Sequence, residues 1–193
     1  GRINGLVGNT SALYFDLIAA FAMIAALLLL IWNDLKSDNK MLPENARMNA
    51  AEWVVTYVRL YIGYDFIAHF TEKWFAGPVP HNGLVEFFGA NLGLGNADMM
   101  VWIAGACEFG AAVGLVFGLF PRVGAIGAAL YLFLSQYWGG HFPIGFIWAL
   151  PGGGWEFGIF WMALILPFAF FGAGKLSLQN LLFEERNLPL AKF

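Results

Sequence analysis

Five stretches of this chain are long and apolar enough to cross a lipid bilayer as helices, and nothing else in the sequence limits its fold as severely. A hydrocarbon core about 30 Å thick needs about 20 mostly apolar helical residues. The windows are Leu13 to Trp32, Ala51 to Phe70, Met99 to Phe120, Val123 to Trp138 and Trp155 to Gly172. Water-free surroundings force each backbone polar group to find its partner within its own segment, so the expected fold class is all-α, a polytopic membrane helical bundle. The first window is too long, and too poor in preceding Lys and Arg, for an ordinary signal peptide. Composition agrees: only 12% of residues are charged, against about a quarter in soluble domains. A net charge of −3 gives no basic footprint, which argues against nucleic acid as a partner and leaves membrane lipid as the expected surroundings. A single cysteine, Cys107, excludes an internal disulfide and a thiolate metal cluster.

Lys and Arg on alternate sides of five spans set the orientation. One side holds seven (Lys36, Lys40, Arg47, Arg122, Lys175, Arg186 and Lys192) and the other holds Arg2 and Lys73. This count predicts a multi-pass protein of the cytoplasmic membrane with its amino terminus outside and its carboxyl terminus in the cytoplasm. On the outer side, the uncharged, aromatic, Gly- and Pro-rich segment Gly139 to Gly154 suits the interface, and Leu84, Val85, Phe87 and Phe88 suit a short interfacial helix with Glu86 facing water.

The few ionisable residues inside spanning windows mark the candidate site, because each costs about 2.5 to 3.5 kcal/mol to insert without a partner. Arg59 lies roughly 12 Å inside the cytoplasmic end of the second window and Glu108 roughly 13 Å inside the outer end of the third, at 1.5 Å per residue. Those depths predict a buried Arg59–Glu108 ion pair, serving either the chemistry or simply helix register. Asp65, His69 and Lys73 recur every four residues and form one polar stripe climbing outward. The stripe suits a proton path or the wall of a pocket; its structural alternative is an Asp65–His69 pair with Lys73 reaching for the interface. His81, His141 and Glu156 belong to the same outer end, where with His69 and Lys73 they are candidates to hold an anion or a quinone head group. No HxxE or HxxxH spacing supports a metal. Gly110, Gly114 and Gly118 form a doubled GxxxG for close helix packing, with Gly124 and Ala128 as a second small face.

From about Val54 to Asn180 the chain resembles the DoxX/DoxD family of small bacterial and archaeal membrane proteins. The likeness rests on RLYIG (Arg59, Gly63), Lys73, HNGLVEFFGANLGL, CEFGAAVGLVFGLFPR (Glu108, Gly114, Arg122), GGHF (His141) and FGAGKLSL (Gly172, Gly174, Ser177). The resemblance implies a four-helix membrane core over residues 50–180, preceded by an added transmembrane helix and cytoplasmic connection over 1–49 and followed by a cytoplasmic tail over 181–193. It also implies a component of quinone-linked oxidoreduction acting on a small, sulfur-containing substrate; DoxD is the membrane subunit of thiosulfate:quinone oxidoreductase and works with a second redox subunit, DoxA. On this reading Arg59, Asp65, His69 and Glu108 carry catalysis, and Lys73, His141 and Glu156 bind substrate. A non-catalytic assembly or docking subunit and a small-solute or proton transporter are the alternatives.

Overall fold

The computed structural model describes residues 10–36, 44 and 47–184, and among these it contains helices and turns but no strand. The helices are α1 (Thr10–Lys36), α2 (Ala50–Phe75), α3 (Pro78–Glu86), α4 (Ala97–Ala112), α5 (Pro121–Trp138) and α6 (Glu156–Phe171). They fall into two compact units, one ending at Tyr57 and the next beginning at Val58. The expected tail from residue 185 onward lies outside the described residues, as do Arg2 and Lys40 of the orientation count.

In the first unit a reciprocal capping box starts α2: Asn49 Oδ1 accepts from the Glu52 amide at 2.9 Å, and Glu52 Oε2 accepts from the Asn49 amide at 2.8 Å. The buried Asp34 carboxylate accepts a hydrogen bond from the Trp53 indole at 2.9 Å, anchoring the α1 end.

In the second unit Ile62 and Phe66 of α2, Ala111 and Ala112 of α4, Ala125 and Ala128 of α5, and Ile165 and Phe168 of α6 share one core. Small residues let the backbones approach: a Cβ at Gly114 would lie 2.9 Å from the Gly124 Cα, so α4 and α5 meet glycine to glycine. Gly63 is the matching point on α2, where a Cβ would come within 2.6 Å of Val116 Cγ2. Two of the three ladder glycines pack closely: Gly114 against Gly124, and Gly118 against Ala173 and Ser177. Gly110 has open space beside its Cα, and Gly118, at φ 63°, ends the helix in the left-handed region.

One continuous helical run among the described residues, Ala97–Phe117, is long and apolar enough to cross a membrane, and Glu156–Phe171 is a shorter apolar helix. In α2, Arg59, Asp65, His69 and three tyrosines dilute the apolar character of the expected span. Large apolar side chains nevertheless face outward along the second unit's helices, including Trp102, Ile103 and Phe109 of α4, Ile126, Leu130 and Phe133 of α5, and Phe160 and Phe170 of α6. This is the reverse of a water-facing bundle surface. The short helix expected around these residues forms and is amphipathic: α3 and the wide turn Phe87–Asn91 half-bury Leu84, Val85, Phe87 and Phe88 while Glu86 is exposed.

Candidate functional site

The four-residue spacing of Asp65, His69 and Lys73 aligns them on α2, and each finds a partner. Asp65 Oδ2 lies 3.3 Å from His69 Nε2. The Lys73 ammonium, 7% exposed, lies 2.8 Å from Glu108 Oε1. It therefore does not reach for the interface: it is buried in an ion pair between α2 and α4. Tyr131 of α5 donates its hydroxyl to the same oxygen at 2.6 Å. Oε1 is thereby doubly engaged, while Glu108 Oε2 is buried without a hydrogen-bond partner.

This carboxylate lies at a cavity of about 390 Å³. Asp65, Phe66 and His69 of α2 form one wall, and Phe157, Gly158 and Trp161 of α6 another. Tyr131, Leu132, Ser135 and Gln136 of α5 complete the lining. Phe66 and Trp161 meet edge to face with ring centres 6.2 Å apart. Gly158 makes room for a polar group, since a Cβ there would collide with the Gln136 side chain. Ser135 spends its hydroxyl proton on the Leu132 carbonyl at 2.8 Å. The cavity is thus aromatic on its sides and polar in patches, with each carboxylate facing a basic group: Lys73 for Glu108, His69 for Asp65.

The expected Arg59–Glu108 pair does not form. Arg59 Nη1 donates to the Leu115 and Val116 carbonyls, the latter at 3.0 Å, and Nη2 donates to the Leu176 carbonyl at 2.5 Å. The reason lies in the end of α4, where Val113–Phe117 widens into a π turn and Gly118 stops it, leaving terminal carbonyls that need donors. The 1% exposed guanidinium supplies them. Depth matching overlooked that demand, and it overlooked that α2 continues to Phe75, bringing Lys73 level with Glu108.

The remaining candidates at the outer end do not join the cavity lining. His141 Nδ1 lies 2.7 Å from the Gly153 carbonyl and helps fold the connection before α6. Glu156 accepts from the Trp148 amide at 3.2 Å and borders a separate apolar groove with Phe146, Phe157 and Phe160. His81 places Nε2 2.8 Å from Asp98 Oδ1 and Nδ1 2.9 Å from the Lys73 carbonyl. Both partners are acceptors, so the doubly protonated ring is favoured: the Asp98 carboxylate first, then the carbonyl, raises the His81 pKa above its ordinary value. Among the described residues no three His, Cys, Asp or Glu side chains converge as metal ligands.

Tyr131, Ser135, Gln136 and Trp161 were missing from the sequence-based site. A signal was present: Tyr131, Ser135 and Gln136 stand at i, i+4 and i+5 in an otherwise apolar window, one polar face on α5.

Residues 54–141 match the DoxX family profile. The chain is also similar to an uncharacterized protein of Haemophilus influenzae, 30% identical over an alignment of 140 residues, with 69% of this chain and 93% of the relative covered. No solved structure matches it. The matched region contains most of α2, all of α3, α4 and α5, and the Lys73–Glu108–Tyr131 cluster, and this membrane-associated helical chain belongs to the DoxX family.

Proposed function

We propose that this protein is a multi-pass component of the cytoplasmic membrane, amino terminus outside, that serves quinone-linked oxidoreduction at the Glu108 cavity. The observation that carries the reading is Glu108 Oε2, a buried acceptor without a partner at a cavity with aromatic walls. Protein interiors rarely leave such an atom unmatched unless something else satisfies it. A quinone/quinol head group fits these surroundings: Phe66 and Trp161 would line one side of the ring, the Gln136 amide would donate to one ring oxygen, and Glu108 would accept from the hydroxyl of the reduced ring. When bound it supplies acceptance of two electrons and two protons.

The chain's own residues would handle the protons. Lys73 and Tyr131 hold the Glu108 carboxylate in place through Oε1, leaving Oε2 to exchange a proton with the ligand. His69, 54% exposed, links the cavity to its surroundings and pairs with Asp65, so these two residues form the relay to solvent. Arg59 acts at a distance from this traffic by fixing the end of α4.

A sulfur anion is a poor occupant of the same space, because Lys73 is already matched by Glu108 and two carboxylates line the cavity. Oxidation of such a substrate is therefore assigned to a second, DoxA-like subunit that passes electrons to this one. The test is reduction of a short-chain quinone analogue by thiosulfate, using the protein in lipid nanodiscs with and without its co-purifying partners. The reading expects turnover that Glu108→Gln and His69→Ala abolish in folded protein. Absence of turnover in every combination overturns it in favour of an assembly subunit, the role that the purely structural Arg59 network favours.

A further inference from the structure

The Glu108 cavity carries information about which form of a ring ligand it holds. Glu108 Oε1 is engaged by Lys73 and Tyr131, and an ion-paired carboxylate offers only acceptors, so Oε2 asks for a donor. Tyr131 has spent its single proton on Glu108, Ser135 has spent its own on the Leu132 carbonyl, and His69 is turned to Asp65. Of the polar side chains around the cavity, the Gln136 amide and the second ring nitrogen of the exposed His69 remain as donors, whereas the deepest group, Glu108, is an acceptor.

Resting on the functional reading above, we infer that this cavity selects neutral aromatic diols over the corresponding diones: a ring hydroxyl donates to Glu108 Oε2, where a ring carbonyl would bring one acceptor against another. Charge points the same way. Each carboxylate at the cavity is opposed by its own basic residue, Lys73 or His69, so no cation is left over to reward an anionic ligand. Phe66, Trp161 and Tyr131 supply the apolar contact that a planar ring needs.

A hydrogen bond to a charged acceptor corresponds to about a tenfold or greater difference in affinity. Each tenfold preference for the reduced form raises the two-electron potential of the bound couple by about 30 mV. The cavity therefore makes its ring ligand a better electron acceptor than the same ring free in the bilayer, which suits a subunit that receives electrons.

The experiment is anaerobic equilibrium dialysis of duroquinol and duroquinone against the full chain in lipid nanodiscs. Diol binding at least tenfold tighter than dione binding is the expected result. Equal affinity, or tighter dione binding, overturns the inference while leaving quinone binding intact; binding of neither form removes the functional reading as well. Because Glu108→Gln alone strands the Lys73 ammonium, the diagnostic variant is Lys73→Met with Glu108→Gln, whose amide can donate to a carbonyl. In protein whose helicity and thermal transition match the parent, the tenfold preference disappears or reverses. Its persistence there shows that another group selects the diol and overturns the assignment to Glu108.

Discussion

Replacing Lys73 by Met tests the architecture most directly, because it removes a cation while leaving its carboxylate buried. Glu108 is 3% exposed, and its two described partners, the Lys73 ammonium at 2.8 Å and the Tyr131 hydroxyl at 2.6 Å, both lie on Oε1. Without Lys73, one hydrogen bond must support a charge that otherwise has no compensation. Breaking a buried pair from one side costs about 3 to 5 kcal/mol. Removing both charges in the Lys73→Met, Glu108→Gln double variant relieves most of that, because a neutral amide beside a thioether leaves no isolated charge. The pair should therefore show a coupling energy of about 2 kcal/mol or more, measured by reversible unfolding of the four proteins in mixed micelles. If Lys73→Met lies within about 0.5 kcal/mol of the parent, or the two substitutions add, the reasoning from the Lys73–Glu108 pair is refuted.

Further outcomes follow from the same structure. Arg59→Met should cost about 3 kcal/mol or more in the same unfolding assay by stranding carbonyls at the end of α4, yet add independently to Glu108→Gln, because Arg59 and Glu108 share no partner. Gly63→Leu should destabilise by at least 1 to 3 kcal/mol, an order-of-magnitude overpacking cost, since even a Cβ there meets Val116 backbone nitrogen at 2.8 Å; a thermal transition equal to the parent's would contradict that close approach. Tyr131→Phe should lower stability by roughly 1.5 to 3 kcal/mol through loss of a hydrogen bond to a charged group, read by the same unfolding assay. The His81–Asp98 contact predicts a pH effect with a definite sign: the folded-state pKa is raised, so the stabilisation is complete below the ordinary value near 6.5 and is lost as pH rises through the folded value. Asp98→Asn should move the His81 titration, followed by its imidazole NMR signals, back toward that ordinary value; an unmoved titration would exclude Asp98 as the cause.

The sequence by itself determined the helical class, the family, the amphipathic pattern of Leu84 to Phe88 and the alignment of Asp65, His69 and Lys73, because each depends on local periodicity or on residues near one another along the chain. Windows of apolar residues and a four-residue repeat are readable without knowing what packs against them. The tertiary structure decided which charge meets which. Depth counting made Arg59 the mate of Glu108, but α4 ends in a π turn whose carbonyls claim the guanidinium, and α2 runs on to carry Lys73 to the carboxylate. Partner choice is a competition among all groups within reach, including backbone atoms whose need for donors arises only when a helix stops. The same reason hid the α5 wall of the cavity: Tyr131 and Gln136 become parts of a site only when α4 and α6 bring Glu108 and Gly158 against them.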